Sequence, residues 1–231
     1  IFAPRVEHAL SGAGWEASGS VSVAARDAID AEFGGQSSYA IQVVVHSANE
    51  TVGTRAFDQS VQRAEATLAD DPAISDVVSP SSSGMISEDR HTVVIGAGAA
   101  RDPNEMVAAA TDLRPALAAA AGPGVEVELT GAAGMWSDFN AANKEAMLKS
   151  ELISWPVTLV ILVLAFGSLV AAGLPLLLTI SGLLAAAGSL WAAAQILDVS
   201  IWAMNFALMF ALALGIDYAL FIVHRFRGAL F

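Results

Sequence analysis

Residues 152–197 form a run of 46 positions without a single Asp, Glu, Lys or Arg. That run limits the fold more than any other feature of the chain. As one α-helix, at about 1.5 Å rise per residue, it would be roughly 69 Å long. The hydrocarbon core of a bilayer is about 30 Å thick. One crossing is therefore excluded, and two crossings of about 20 residues joined by a tight turn fit. Gly and Pro punctuate helices, so the turn is expected near Gly173-Leu174-Pro175. The expected spans cover about 152–172 and 174–194, and a third follows at about 201–223 after a short loop holding Asp198. His224-Arg225-Phe226-Arg227 comes next and reads as an interfacial anchor. The segments are C-terminal and too long for a signal peptide.

The net charge of −12 lies wholly ahead of this run. Residues 1–151 hold 9 of the 11 basic and 21 of the 23 acidic side chains. Residues 152–231 hold Arg225, Arg227, Asp198 and Asp217, which cancel. An acidic soluble part joined to a neutral membrane part offers no basic surface, so nucleic acid is not an expected partner. The absence of cysteine rules out a disulfide framework and a Cys-ligated metal site. Three crossings put the C-terminus opposite residues 1–150. Charge counting orients them only weakly, because Lys144 and Lys149 balance Arg225 and Arg227. The chain opens on Ile1-Phe2-Ala3-Pro4 and closes on Ala229-Leu230-Phe231, and both ends read as cuts in a larger protein.

The acidic part alternates strands and helices. Residues 39–46 (YAIQVVVH), 74–78 (ISDVV), 91–97 (HTVVIGA) and 125–130 (VEVELT) read as strands. Residues 55–69 carry apolar positions at helical spacing, and Asp71-Pro72 stops them. Residues 79–84 read as a turn-rich linker. A second helix runs from Pro103 to about residue 121, with Asp102 as its N-cap. The order β-α-β-β-α-β is a split βαβ, or ferredoxin-like, α+β unit. One more helix is expected over 18–33, ended by Gly34-Gly35. After residues 131–134 (GAAG), residues 136–150 read as a helix running into the first span.

No catalytic site, metal site or cofactor emerges from this part. His8, His46 and His91 are scattered, with no partner at ligand spacing. The serines of Pro80-Ser81-Ser82-Ser83-Gly84 lack a nucleophile-elbow context. Gly96-Ala97-Gly98 follows a strand but completes no phosphate-binding fingerprint.

Asp217 is the most informative residue. It lies about two thirds of the way along an otherwise uncharged span, in Leu214-Gly215-Ile216-Asp217-Tyr218. An ionised Asp near the centre of a membrane helix costs about 2.5–3.5 kcal/mol on insertion scales, so such a residue faces a protein interior or a wet cavity. Desolvation favours the neutral carboxyl, and a carboxyl whose proton affinity follows its surroundings can load and release protons. Tyr218 adds a hydroxyl that donates or accepts. Gly215 permits close approach of a neighbouring helix. The bland alternative is a structural hydrogen bond or ion pair between helices. Arg225 lies eight residues on, about 12 Å along the axis, and is a poor intrahelical partner. Thr158, Ser168, Thr179, Ser181 and Ser189 can bond back to the helix backbone. Asn205 and Gln195 read as interfacial. Gly182, Ala186 and Gly188-Ser189 point to close helix packing. Pro156 and Pro175 lie near expected helix starts and are tolerated there.

The run Ala213-Leu214-Gly215-Ile216-Asp217-Tyr218-Ala219-Leu220-Phe221-Ile222-Val223-His224-Arg225-Phe226-Arg227 resembles the fourth transmembrane helix of the MMPL family, within the RND (resistance-nodulation-division) superfamily. Phe166-Gly167-Ser168-Leu169-Val170, followed by Leu174-Pro175-Leu176-Leu177, is similar to the turn between that family's second and third helices. Leu10-Ser11-Gly12-Ala13-Gly14-Trp15 is similar to the segment after its first helix. The resemblance implies an N-terminal fragment in three parts: residues 1–38 following a missing first helix, an extracytoplasmic porter domain over 39–150, and transmembrane helices two to four over 151–231.

It also implies a cell (inner) membrane protein with residues 1–150 outside and the C-terminus cytoplasmic. The implied activity is proton-driven export of lipids or other lipophilic molecules. Asp217 and Tyr218 match the Asp-Tyr pair that relays protons in the family, with Gly215 beside them. The matching pair lies in a second half that this chain lacks, so the fragment alone is not expected to transport. The implied partners are a lipophilic substrate, protons, the membrane and the remaining half of the transporter. A homo-oligomer stays open. The alternative is a non-transporting scaffold or a sterol-sensing-type regulator, since helices two to six of RND proteins are shared with sterol-sensing domains.

Overall fold

The computed structural model describes Ala13, Ala17 and residues 19–230 except Asp198. His8, Asp198 and residues 10–15 other than Ala13 therefore lie outside the described residues. The chain divides into a sheet unit, Gly12–Ala141, and a helical unit that contains Ala142–Phe231.

Alternation builds the sheet unit. Strand β1 (Ile41–His46) buries Ile41, Val43 and Val45 completely, and its other face carries Gln42, Val44 and His46. Period two sends one set into the core and the other out. Helix α2 (Arg55–Ala69) follows, then β2 (Ile74–Val78), β3 (Thr92–Ala99), α4 (Pro103–Ala120) and β4 (Glu126–Thr130). The strand order is β2-β3-β1-β4. All three neighbouring pairs are antiparallel, so β1 and β2 run parallel with β3 between them. Val45 pairs with Val93 on one side and Val127 on the other, which stacks three core residues across the sheet.

Helices α2 and α4 supply the rest of that core. Phe57, Ser60, Ala64 and Leu68 lie on one stripe of α2, and Met106, Ala110, Leu113 and Leu117 on one stripe of α4. Burying each large apolar side chain stabilises the unit by about 1.5–3 kcal/mol. The buried Ser60 hydroxyl donates to the Ala56 carbonyl at 2.9 Å and accepts from Arg63 at 3.2 Å. Arg63 Nε also donates to the last carbonyl of α4, at Ala120, at 2.9 Å, where a cation complements the helix dipole.

Several boundaries differ from expectation. Helix α1 spans Val21–Glu32 and buries no residue; Gly34 and Gly35 follow it with left-handed φ of +59° and +77°. The stretch expected as a linker winds Pro80–Ser83 into a single turn, α3, ended by Gly84 at φ +71°. Helix α5 starts at Gly131, directly after β4, and not at Trp136. The reason is packing. Ala133 is fully buried, and a Cβ on Gly134 would stand 2.6 Å from Leu129 Cδ2. Small residues that read as a loop are what let the helix lie against the strand.

In the helical unit, α5 ends at Phe166, α6 spans Leu169–Ala193 and α7 spans Ile201–Leu230. All three are long and apolar enough to cross a membrane. The turn between the first two lies at Gly167-Ser168, six residues before the expected Gly173-Leu174-Pro175. Gly167 has φ +67°, a conformation that glycine adopts freely. Pro175 sits inside α6 and is buried there. Helices α6 and α7 pack as an antiparallel pair: Leu220 packs against the cluster that holds Ala172, Thr179 meets Gly215, and Ala187 meets Met204. Gly182 and Gly188, expected at a close seam, face open space.

Candidate functional site

The candidate site is the middle of α7. Successive residues of an α-helix are about 100° apart, so neighbours in the Leu-Gly-Ile-Asp-Tyr run point to different sides. Ile216 and Leu220 pack into a cluster with Leu162 and Phe166 of α5 and Ala172 of α6. Gly215 abuts Thr179 of α6. Asp217 and Tyr218 point the other way and are exposed, as are Leu214 and Phe221 one turn to either side. No described residue makes a hydrogen bond or ion pair with the Asp217 carboxylate, and none bonds the Tyr218 hydroxyl. Arg225 is exposed and unpaired with Asp217. The sequence therefore names an acid and a phenol on consecutive positions, and the fold puts both on the side of α7 that α5 and α6 leave uncovered.

The hydroxyls of this unit behave as short-range helix bonds. Thr179 donates to the Pro175 carbonyl at 2.9 Å, Ser181 to Leu177 at 2.9 Å and Ser189 to Ala185 at 3.0 Å. Thr179 differs from the other two by being buried, at 2% exposure. It is the residue that sequence reasoning undervalued. Its signal was a β-branched hydroxyl four residues after a helical proline in an apolar run, which marks a helix seam rather than a surface.

The sheet unit accounts for its polar residues locally. His91 Nδ1 lies 2.8 Å from the Ser47 carbonyl and 2.9 Å from that of Glu50, and so donates to them. His46 Nδ1 lies 2.9 Å from Thr92 Oγ1. Ser79 donates to Glu65 at 2.6 Å, and Ser82 and Ser83 bond the Ser79 carbonyl. Among the described residues, no three His, Asp or Glu side chains could hold a metal ion. Gly96 and Gly98 are strand residues whose missing side chains admit Gln36 and the Gly34 backbone. Asp89 accepts from the Ser87 hydroxyl and the His91 amide, and these bonds hold its carboxyl below its ordinary value.

Comparison with known proteins covers both units. The sequence model described as the MMPL family matches residues 15–230. The putative membrane protein SCO6666 of Streptomyces coelicolor is 32% identical over 180 residues, which is 76% of this chain and 26% of that protein. Membrane protein YdfJ of Bacillus subtilis is 36% identical over 115 residues, 50% of this chain and 15% of that protein. The mycolic acid-containing lipids exporter MmpL11 of Mycolicibacterium smegmatis is 35% identical over 89 residues, 38% of this chain and 9% of that protein. The chain thus spans about a quarter or less of the length of these relatives. Three apolar helices and this match over nearly the whole sequence make it a multi-pass membrane protein, and it belongs to the MMPL family.

Proposed function

We propose that this segment is part of a proton-motive-force-driven exporter of lipids or other lipophilic molecules, in which Asp217 and Tyr218 relay protons. The observation that carries the reading is the uncovered acid. A carboxylate inside a membrane span, with no partner among the described residues of its own helices, needs one elsewhere. In a longer protein that partner is a helix of the second half, laid against the exposed face of α7. A carboxyl shared between two helices changes its proton affinity when they move, because charge and solvation around it change. Tyr218 offers the hydroxyl through which the proton enters or leaves. Gly215 keeps the opposite face of α7 close to α6.

The remaining parts fit the same reading. The β2-β3-β1-β4 strand order supports reading the sheet unit as a ferredoxin-like split βαβ. We assign it as a porter domain over 39–150, outside the inner membrane, with 151–231 as transmembrane helices and the C-terminus cytoplasmic. A lipophilic cargo is supported by the name of one relative, a lipid exporter.

The test is Asp217→Asn in the full-length protein. The variant is expected to insert and fold normally and to lose transport, and an uncoupler is expected to stall the wild type. Wild-type flux in the variant, or flux indifferent to the uncoupler, would favour a non-transporting scaffold or sterol-sensing-type role instead.

A further inference from the structure

Among the described glycines of α6 and α7, one closes on a side chain of the other helix. A Cβ built on Gly215 would lie 2.9 Å from Thr179 Oγ1 and 3.4 Å from its Cβ and Cγ2. All the branches of the threonine therefore crowd the place where a side chain on Gly215 would begin. The threonine is itself held, because its hydroxyl donates to the Pro175 carbonyl one turn back at 2.9 Å and the χ1 of a β-branched residue is stiff. The other glycines of the two helices offer no such notch: a Cβ on Gly173, Gly182, Gly188 or Gly228 would meet nothing within 4 Å. Among the described residues, the rest of the α7 seat is apolar. Ile216 and Leu220 rest on Leu162, Phe166 and Ala172, and Met204 rests by Ala187. Apolar contacts without a notch hold a helix less exactly than a rigid branch in a glycine notch, which fixes both depth and rotation.

We propose that Thr179 is a positioning residue for the Asp217–Tyr218 pair: seated in the notch at Gly215, it sets the rotation and depth at which α7 presents both side chains on its uncovered face. Thr179 touches neither the proton nor the cargo and acts through Gly215. A methyl group on Gly215, or a longer side chain at 179, lifts or rolls α7 and carries Asp217 with it. The shape of the threonine matters more than its hydroxyl, which is already used within α6. The inference rests on the proton-relay reading above and names the contact that aims the relay.

The test uses the full-length protein in native membranes and has two arms. These 231 residues hold no cysteine, and any in the remainder of the full-length protein are first replaced by serine, so a Thr179→Cys, Gly215→Cys double variant gives a clean readout. The two Cβ positions lie 3.4 Å apart, close to the separation of about 3.5–4.5 Å across a disulfide. Mild oxidation with copper phenanthroline is expected to remove both thiols from maleimide labelling, and thiols that stay reactive overturn the proposed contact.

The second arm follows the labelling of Asp217 by dicyclohexylcarbodiimide, which attacks protonated carboxyls in apolar surroundings, as a function of pH. Gly215→Ala and Thr179→Leu should each move the midpoint by at least about half a pH unit, since small changes in solvation shift a carboxyl that much. Thr179→Val should keep the wild-type midpoint, and Gly215→Ala combined with Thr179→Ala should return to it. Unmoved midpoints in the first two variants, or no return in the double variant, overturn the positioning role. Wild-type labelling that ignores pH overturns the relay reading and the positioning role with it, while the crosslink reports separately on the helix contact.

Discussion

Gly35 lies flat against the backbone of Ala99, whose amide donates to the Gly35 carbonyl at 2.8 Å. A methyl group on Gly35 would overlap both the amide and the carbonyl of Ala99. Gly98 stands in the same relation to the Gly34 carbonyl, which also accepts from the Ser75 hydroxyl at 2.7 Å. The turn that ends α1 is thereby tied to the end of β3 by backbone alone.

Gly35→Ala should therefore be far more damaging than a glycine substitution in open space. It adds an overlap with immovable backbone to the strain of φ +77°, and we expect a loss of about 2–4 kcal/mol. Gly84→Ala, at φ +71° with nothing within 4 Å, should cost only about 1 kcal/mol. Hydrogen exchange of the β3 amides in the two variants separates these outcomes. Equal protection in both would mean that the Gly35–Ala99 contact contributes nothing.

Tyr39 makes the sheet unit sensitive to alkaline pH. Its hydroxyl donates to the Ala13 carbonyl at 2.5 Å, and its ring lies 5.8 Å from the Arg26 guanidinium carbon. Burial raises the phenol above its ordinary value, and the Arg26 charge opposes that shift. A raised folded value means that the folded state holds the proton more tightly than the unfolded one. The contribution is complete below the ordinary tyrosine range and is lost as pH climbs through the raised value. Phenolate absorbance should show one late-titrating tyrosine that Tyr39→Phe removes, together with the alkaline loss of stability.

Asp102 tests the cap of α4. Its carboxylate accepts from the Asn104 amide at 2.8 Å and the Glu105 amide at 3.1 Å, with Pro103 at the first helical position. Asp102→Ala should cost about 1 kcal/mol. Asp102→Asn should recover most of it, because an amide oxygen accepts the same bonds. Chemical denaturation of the three proteins measures the difference, and an Asn variant as weak as the Ala variant would shift the credit to charge.

That cap was legible because its chemistry is local, and so were β1, α2 and β2, whose periods of 2 and 3.6 are carried by adjacent residues. Asp217 was legible for the same reason: one charge in an apolar run needs no fold to be noticed. Its setting was not. Which face of α7 stays uncovered depends on the rotation of the helix, and that rotation is fixed by Thr179 and Gly215, residues on two different helices. Gly182 and Gly188 show the converse, small residues that resemble a packing motif but face open space. Gly131 and Gly134 misled in a third way, since β4 turns a loop-like composition into the start of a helix.

The turn between the first two spans is the sharpest departure from sequence expectation, and it can be tested directly. Gly173-Leu174-Pro175 has the composition of a break, yet Pro175 is buried within α6, seven residues after the Ser168 N-cap. At that depth the proline leaves the Ala171 carbonyl without its i→i+4 donor, and the helix nevertheless runs on to Ala193. Gly167 takes φ +67° and its amide donates to the Val163 carbonyl at 2.8 Å, which closes α5. These 231 residues hold no cysteine, so single cysteines placed in them are read cleanly once any in the remainder of the protein are replaced. Ser168→Cys should react quickly with a membrane-impermeant maleimide added on the side of the turn. Leu174→Cys, about 9 Å deeper at helical rise, should react slowly. Pro175→Ala should leave that contrast intact. Gly167→Ala should weaken α5 closure by about 1 kcal/mol and raise proteolysis at the turn. Fast labelling of Leu174→Cys would move the turn to the proline and shorten the first half of α6 accordingly.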